Sequence, residues 1–170
     1  MRITAVEGDI TRQDVDVVVN AANSAMRGGG GVDGAIHRAG GPAILADCVE
    51  RFPHGLPTGA AGWTTAGDLP ARWVVHVVGP NYRAGQRDPD LLASCYGEAI
   101  RLADELGART IAFPAVSAGI YGWPLQDAAR IAVTTVAEAG AGSAVEEARF
   151  VLFGEAAYRV FADLVARLPG

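Results

Sequence analysis

The chain has 170 residues, of which 50% are hydrophobic, and it carries a formal net charge of −5 with a pI of about 5.1. This length predicts a single domain, residues 1–170, that buries a sizeable core, and the composition argues against a disordered chain. The acidic balance also argues against non-specific binding to duplex nucleic acid, because such binding needs a basic face.

The cysteine content and the start of the chain indicate where the protein works. The only cysteines, Cys48 and Cys95, each lie in a helix-like apolar pattern, so we expect small buried side chains and neither a disulfide nor a metal site. The chain opens on a strand-like segment and contains no apolar run long enough for a membrane span. We therefore expect a cytoplasmic protein that needs no metal or other cofactor and does not contact a membrane.

Strand-like apolar runs recur along the chain. They predict strands over residues 3–6, 15–20, 62–66, 73–78, 110–114 and 149–153. Most are rich in Val and Ile without alternation, as expected for central strands that are covered on both faces. The run at 62–66 alternates more clearly, so we expect it at an edge of the sheet.

Amphipathic helices separate these strands. Apolar residues at helical spacing predict helices around residues 44–52, 92–103, 128–136 and 157–168, and a further helix begins near Val32. This alternation predicts the α/β class, with helices on both faces of a mostly parallel sheet. In such sheets ligands bind beyond the carboxyl ends of the strands. The loops at 20–31 and 114–122 both follow predicted strands, and we expect both at that edge.

Four consecutive glycines at 28–31 are the most informative feature of the first loop. Glycine amides can approach a phosphate closely, and the N-terminus of the next helix adds partial positive charge there. Asn20 and Asn23 precede the glycines, and Asp33 falls in the first turn of the helix. Each residue alone also fits an ordinary turn or a favourable helix dipole, but the combination favours ligand contact.

Two histidines require separate interpretations. His37 lies four residues after Asp33 and shares its helix face, so it could orient Asp33 or contact a phosphate. A histidine satisfied by local hydrogen bonds is an equally good interpretation. His76 lies inside the apolar run 74–78, where we expect a structural core residue.

The second loop, residues 114–122, again follows an apolar strand. Backbone amides from Ser117 to Gly122 could form a second phosphate nest, distinct from a P-loop because no Gly-Lys-Ser/Thr follows. Tyr121 could lie against a sugar.

Two further positions follow strand ends. Asp9, after the first strand, could cap a turn or accept a hydrogen bond from the exocyclic amine of a base. Phe153, after the last strand, could form an aromatic wall for that base.

These segments together resemble a macrodomain of the MacroD type, and the likeness extends from about Ile3 to Leu168. Each motif alone is weak, but the combination in the family's order is highly specific. The stretches that carry it are Gly8-Asp9-Ile10, Asn20-Ala-Ala-Asn23, Gly30-Gly31-Val32-Asp33-Gly-Ala-Ile-His37, Pro57-Thr58-Gly59, His76-Val-Val-Gly-Pro80 and Gly119-Ile-Tyr-Gly122.

The resemblance implies a three-layer α/β/α sandwich, with a mixed, mostly parallel central sheet, that binds ADP-ribose. Asp9 would hold the adenine amino group, and Ile10 would add a backbone contact to the base. Relatives often carry a hydroxyl at the position of Ala118, and its loss here could weaken a phosphate contact. The residues expected around the diphosphate and distal ribose are Gly30, Gly31, Val32, Ser117, Ala118, Gly119, Ile120 and Tyr121.

The resemblance also implies an activity. Asn23 would fix the distal ribose, and Asp33 would orient or activate a water near the anomeric carbon, with Asn20 and His37 as supporting residues behind this pair. Family members remove single ADP-ribose units from acidic side chains and deacetylate O-acetyl-ADP-ribose. The expected partners are therefore ADP-ribose, O-acetyl-ADP-ribose and ADP-ribosylated proteins.

Two other functions stay open at this point. Many macrodomains are readers that bind ADP-ribose without hydrolysis, and the fold alone does not separate readers from hydrolases. The presence of both Asn23 and Asp33 favours the hydrolase. A hydrolase for ADP-ribosylated nucleic acid is the third possibility, since the acidic net charge opposes tight backbone binding but not weak contact. We expect a monomer.

Overall fold

Six β-strands form one sheet, and five α-helices cover its two faces, in the computed structural model, which describes all 170 residues. The strands are β1 (Arg2–Glu7), β2 (Val17–Ala22), β3 (Ala61–Thr65), β4 (Trp73–Val78), β5 (Thr110–Phe113) and β6 (Glu147–Leu152). The helices are α1 (Gly31–Gly40), α2 (Pro42–Arg51), α3 (Pro89–Glu105), α4 (Leu125–Gly140) and α5 (Glu155–Ala166), with short 3₁₀ helices at Ile10–Arg12 and Tyr82–Ala84. The predicted three-layer α/β/α sandwich is confirmed.

The sheet has the strand order β1-β6-β5-β2-β4-β3. Every neighbouring pair is parallel except β3 with β4, so the sheet is mixed and mostly parallel, as predicted. The antiparallel strand β3 lies at an edge, where its alternating sequence predicted it. The carboxyl ends of the five parallel strands therefore open along one side of the sheet, where ligands bind in this class of fold.

Two hydrophobic cores lie on opposite faces of the sheet. The larger has 27 buried residues and joins the sheet to α3, α4 and α5, while the smaller has 14 and joins it to α1 and α2. Successive residues of β2 alternate between them: Val17 and Val19 face the larger core, and Val18 faces the smaller one. By the same alternation Asn20 and its register partner His76 point toward α1 and α2.

The second strand differs from its prediction in one respect that affects the site. The sequence predicted a strand over 15–20, whereas β2 runs from Val17 to Ala22 and so contains Asn20 in its middle. A polar residue is tolerated there because its side-chain amide hydrogen-bonds to Asp33 and His76 inside the protein. Asn20 is therefore a strand residue that points under α1, not the first residue of a loop.

The two cysteines are buried in α2 and α3, as their apolar patterns predicted. Burial raises the pKa of Cys48 to about 11 and that of Cys95 to about 12, so both thiols stay protonated at neutral pH. None of the five helices combines the length and the apolar content needed to cross a membrane.

Candidate functional site

Two loops meet at the carboxyl edge of the sheet, because β2 and β5 are adjacent parallel strands. We call residues 23–30, after β2, the glycine loop, and residues 114–122, after β5, the serine loop. A side-chain carbon built on Gly30 or Gly31 would lie 3.6 or 3.4 Å from the Cδ1 atom of Ile120. Ile120 is 65% exposed, so its side chain lies over the glycines at the surface. The predicted proximity of the two loops is confirmed.

The glycine loop presents backbone amides at the start of α1. Gly28 and Gly31 have φ angles of 91° and 59°, which favour glycine. The N–H groups of Gly31, Val32 and Asp33 make no hydrogen bond within the protein, as expected for the first turn of a helix. These donors and the positive end of the helix dipole can together bind an anionic group.

Asp33 is held in place from inside the protein. The residue is 5% exposed, and its Oδ1 atom accepts a hydrogen bond of 2.7 Å from the side-chain nitrogen of Asn20. His37, one turn further along α1, places Nε2 3.3 Å from the same oxygen. The predicted pairing of Asp33 and His37 on one helix face is therefore confirmed, and Asn20 also lies against Asp33.

Asn23 and Asp33 both extend toward the same side of Gly29. The Asn23 amide nitrogen donates to the backbone carbonyl of Gly28 over 3.1 Å. A side-chain carbon built on Gly29 would lie 3.2 Å from Asp33 Oδ2 and 3.3 Å from Asn23 Nδ2. Glycine at this position thus keeps open the space that both side chains border.

The serine loop has a strained turn at its centre. Ser117 has a φ of 64°, unusual for a residue with a side chain, and its carbonyl accepts a hydrogen bond from the N–H of Trp123. A side-chain carbon on Gly79 would lie 2.3 Å from the Ser117 hydroxyl oxygen, so glycine is needed there for β4 to approach the loop. The N–H groups of Gly119, Ile120 and Tyr121 make no hydrogen bond within the protein, and they can serve as a second set of anion donors.

Three buried side-chain atoms in the protein make no hydrogen bond, and all three belong to this edge of the sheet. They are Oδ1 of Asn20, Oδ1 of Asn23 and Oγ of Ser117. Buried polar atoms are nearly always paired, and exceptions concentrate where a ligand or water binds. Their clustering supports this edge as the candidate binding region by an argument that uses no sequence motif.

The opposite end of the edge is built differently. Asp9 caps the 3₁₀ helix Ile10–Arg12, and hydrogen bonds from the Thr11 hydroxyl and backbone N–H hold the pKa of Asp9 below its usual value. Ile10 is buried, whereas Phe153 is 94% exposed. Asp9 can both cap the turn and accept a hydrogen bond from a base, because the two roles use different oxygens. The capping bonds use Oδ1, whereas Oδ2 lies 3.7 Å from the exposed Arg12 guanidinium.

A chain of polar side chains anchors the Asp9 turn to the sheet. Gln13 donates to the backbone carbonyl of Asp9 over 2.9 Å and accepts a hydrogen bond of 2.9 Å from Arg149. Arg149 in turn pairs with Glu147, also on β6, at 3.1 Å. The backbone of the turn is thus fixed, although the Asp9 side chain is largely exposed.

The strands that carry the two ends of the edge are not neighbours in the sheet, although α1 and the 3₁₀ helix after β1 pack into the same core through Ile36 and Ile10. Asp9 follows β1 and Phe153 follows its neighbour β6, whereas the glycine loop follows β2, three strand positions from β1. Three strand spacings amount to about 14 Å. The structure therefore brings Asn20, Asn23, Asp33 and His37 together, and it places Asp9 and Phe153 after the neighbouring strands β1 and β6.

A cavity of about 290 Å³ adjoins the serine loop on the β4 side. Its lining includes Tyr121 and the uncharged polar residues Ser24, Thr58, Asn81 and Gln86. This cavity lies beside Ser24, the residue that follows Asn23, so a ligand that contacts both loops has room to extend into the cavity.

Sequence reasoning missed several residues that shape the site. His76 was expected to be a core residue and is one, but its ring also contacts Asn20. Arg27 was not singled out; its guanidinium donates to the carbonyls of Ala25, Met26 and Phe52 and so holds the glycine loop. The contact between His76 and Asn20 could have been predicted only from their opposite positions on neighbouring strands. That prediction would have required the strand register, which the sequence alone did not provide.

The fold and the site define an α/β protein in which two loops at the carboxyl edge of the sheet present free backbone amides beside a buried carboxylate. No three His, Cys, Asp or Glu side chains are grouped so as to hold a metal ion. Residues 19–132 match the family model described as Macro domain. The chain belongs to the Macro domain family.

Comparisons with individual proteins agree with this assignment. The chain is 63% identical over 164 residues to a macro domain-containing protein of Streptomyces nogalater, covering 94% of this chain and 90% of that protein. Its structure is similar to a Trypanosoma brucei macrodomain in complex with ADP-ribose, with a TM-score of 0.89, 41% identity, and coverage of 96% of this chain and 69% of that one. An Oceanobacillus iheyensis macrodomain with ADP has a TM-score of 0.89 and 37% identity, covering 96% and 92% of the two chains.

Proposed function

We propose that the protein binds ADP-ribose and hydrolyses mono-ADP-ribose from acidic side chains of modified proteins, and that it also deacetylates O-acetyl-ADP-ribose. The observation that carries the proposal is the arrangement around Gly29, where the buried Asp33 and the half-buried Asn23 border the same open space. A module that only binds ADP-ribose needs the amide cradle but has no need for a buried carboxylate at that point.

The geometry supports one orientation of the ligand. Adenine lies at the Asp9 end, where Asp9 Oδ2 accepts from the exocyclic amine and Phe153 covers the base. The diphosphate lies between the amides of Val32 and those of Gly119–Tyr121, and the distal ribose lies beside Asn23. The spacing of about 14 Å between the β1 and β2 ends suits a ligand with a base at one end and a reacting sugar at the other.

The reaction cleaves an ester between a protein carboxylate and the anomeric carbon of the distal ribose. Asn23 orients the ribose, and Asp33 Oδ2 accepts a proton from a water, whose oxygen forms the new bond to the sugar as the protein carboxylate departs. The products are ADP-ribose and a free acidic side chain. A phosphate oxygen of the substrate can share the role of base, and orientation itself supplies a large part of the rate.

In the deacetylation the bond that breaks is different. Water adds to the acetyl carbonyl carbon, and the ribose hydroxyl departs with acetate as the second product. The same base and the same ribose contacts serve both reactions if the acetyl group reaches the space beside Gly29. The uncharged cavity beyond Asn23 offers room for the acyl group or for the modified side chain.

The proposal is tested with a protein substrate that carries mono-ADP-ribose on a carboxylate. The purified protein should release ADP-ribose, while Asp33→Asn should bind ADP-ribose and release little. Calorimetry with ADP-ribose serves as the binding control for both proteins. If the label stays on the substrate although ADP-ribose binds, the chain is a reader and the hydrolase proposal is wrong.

A panel of linkages then defines the substrate. Carboxylate, serine, arginine, acetyl and nucleic-acid linkages are compared at equal concentration, with ADP-ribose release as the measurement. We expect the carboxylate and acetyl esters to react fastest, since esters are the most labile of these bonds. Faster release from modified nucleic acid would instead identify the third function considered above. The cytoplasmic location and monomeric state stay predictions that fractionation and light scattering can check.

A further inference from the structure

A relay of buried polar groups runs from Asp33 into the interior on the α1–α2 face of the sheet. It crosses three neighbouring strands through Asn20 on β2, His76 on β4 and Thr64 on β3. These side chains are buried in an otherwise apolar layer, with exposures of 0%, 1% and 0%. Every buried donor of such a network needs an acceptor, because an unpaired buried donor is costly, and Asn20 Oδ1 is the acceptor of the network that has no partner.

The inner end of the relay sets its direction. The backbone carbonyl of Thr65 can only accept, so the Thr64 hydroxyl donates to it over 2.9 Å. The same hydroxyl therefore accepts the hydrogen on Nε2 of His76, 2.8 Å away. His76 is then the neutral tautomer with its hydrogen on Nε2 and a free lone pair on Nδ1.

The outer end of the relay agrees with this direction. Nδ1 of His76 accepts from the Asn20 side-chain nitrogen over 3.0 Å, and the second hydrogen of that nitrogen is donated to Asp33 Oδ1 over 2.7 Å. An amide turned over would place its oxygen against a carboxylate and against a lone pair. Both ends of the relay thus require the same orientation of Asn20.

The surroundings of His76 keep its ring neutral. Burial, and the nearby His37 to a smaller degree, lower the pKa of His76 to about 3, while Asp47 on α2 acts weakly in the opposite direction. The His37 ring centroid is 6.3 Å away, and the Cys48 thiol on α2 lies 3.7 Å from Nε2. Of the groups packed against Nε2, the Thr64 hydroxyl is the strong acceptor.

We infer that Thr64 and His76 are positioning residues for Asp33: they fix the Asn20 amide so that its nitrogen, and not its oxygen, faces the carboxylate. This inference rests on the proposed hydrolase function, in which Asp33 accepts a proton from water. With Oδ1 occupied by Asn20, the Oδ2 atom beside Gly29 is the oxygen that is left for the reaction. The relay therefore determines which oxygen of Asp33 accepts the proton, although Thr64 lies on β3, two strands away from Asn20 on β2.

The first test reads the tautomer of His76 directly. Long-range ¹H–¹⁵N correlation spectra of the labelled protein distinguish the two ring nitrogens, and His37→Gln and His54→Gln proteins assign the remaining ring as His76. We expect a protonated Nε2 and an unprotonated Nδ1 at neutral pH. A hydrogen on Nδ1, or a charged ring, would overturn the inference. The measurement leaves Asn20, His76 and Thr64 unchanged, so it reads the relay in its native state.

The second test removes the hydroxyl that sets the direction. Thr64→Val keeps the shape of the side chain but leaves Nε2 without its strong acceptor, so the second tautomer becomes populated in the same spectrum. We expect kcat to fall about tenfold with KM within about twofold of the parent protein, because orientation of the base changes and ligand binding does not. Thr64→Ser restores a hydroxyl and should restore both the tautomer and kcat.

Thr65→Val is the matched control. It removes the exposed hydroxyl of the next residue, which accepts from the N–H of Gly67, and keeps the carbonyl that ends the relay. It should change neither the tautomer nor kcat. The inference would be contradicted if Thr64→Val changed neither the tautomer of His76 nor kcat. It would also be contradicted if Thr64→Val and Thr64→Ser lost the same fraction of kcat.

The two proposals fail in different ways. If the parent protein releases no ADP-ribose from any substrate, the hydrolase proposal is wrong, and the spectra still decide whether Thr64 sets the tautomer of His76. If the parent protein hydrolyses its substrate but His76 carries its hydrogen on Nδ1, the hydrolase proposal stands and the relay is wrong.

Discussion

The two ends of the binding edge differ in how firmly their side chains are held. At the glycine-loop end, where we propose that the reaction occurs, Asp33 is 5% exposed and is held by Asn20 and His37, with further buried polar groups behind them. At the base end Phe153 is 94% exposed, and Asp9 is held mainly within its own turn. A preorganised group favours turnover, whereas an exposed contact contributes to binding and adapts to the ligand. Substitutions at the two ends should therefore separate kcat from affinity.

Asp33→Asn should have the largest effect. The amide keeps the size and an acceptor for Asn20 but cannot take a proton from water, so we expect kcat to fall about 1,000-fold. Affinity for ADP-ribose, measured by calorimetry, should stay within about threefold. Turnover similar to that of the parent protein would remove Asp33 from the mechanism and place the base on the substrate phosphate.

Gly29→Ala should have the next largest effect. The backbone at Gly29 does not need a positive φ, but the new methyl group would press on Asp33 Oδ2 and Asn23 Nδ2 at 3.2 and 3.3 Å. Displacement of either group should lower kcat about 100-fold, with little change in the free energy of unfolding.

Gly97→Ala is a control for this substitution, because a side-chain carbon at that position on α3 meets no atom within 4 Å. Its turnover should match that of the parent protein. If Gly29→Ala is as active as Gly97→Ala, the space between Asn23 and Asp33 is not where the reaction occurs.

The buried relay should make the protein less stable in acid. The pKa of His76 is lowered from 6.5 to about 3 in the folded state, so between these values the unfolded chain binds a proton that the folded one does not. The free energy of unfolding should then fall by about 1.4 kcal/mol for each unit of pH lost across this window.

Urea titrations at several pH values between about 6.5 and 4 measure this slope. His76→Asn lacks the titrating group, and its slope should be shallower by that amount whatever its stability at neutral pH. Parallel slopes for the two proteins would mean that His76 is protonated when folded.

Asp9→Ala tests the base end. The variant loses a charged acceptor for the adenine amine, so we expect affinity for ADP-ribose to fall about tenfold, while kcat at saturation stays unchanged. Asp9→Asn is the companion variant, since it keeps an acceptor oxygen for the cap and for the base. A large loss of kcat in Asp9→Ala would mean that the two ends do not act separately.

Phe153→Ala should have the smallest effect. An exposed ring that stacks on the base contributes little beyond its contact area, so we expect about a threefold loss of affinity. Binding of ribose 5-phosphate, which has no base, should not change. An equal loss for both ligands would place Phe153 away from the base.

Most of the fold could be predicted from the sequence because the signals are local. Apolar runs and 3.6-residue spacing depend only on neighbouring residues, and they predicted all six strands and four of the five helices in the observed order. The glycine run, together with Asp33 and His37 four residues apart, likewise predicted one helix start and one shared helix face. The end of β2 was shifted by two residues, because Asn20 obtains its partners from distant parts of the chain.

The sequence by itself thus determined the class of fold, the edge of the sheet where we propose that the ligand binds and the identity of the polar residues that gather around Asp33. Only the tertiary structure decided which atoms of those residues face one another. Asn20 reaches Asp33 across 13 positions and His76 across 56, and both contacts depend on strand register and on how α1 packs over β2. Hydrogen bonds of this kind change completely when a strand slips by one residue, since every side chain then faces the other side of the sheet. For that reason the relay behind Asp33 could not be read from the order of the residues.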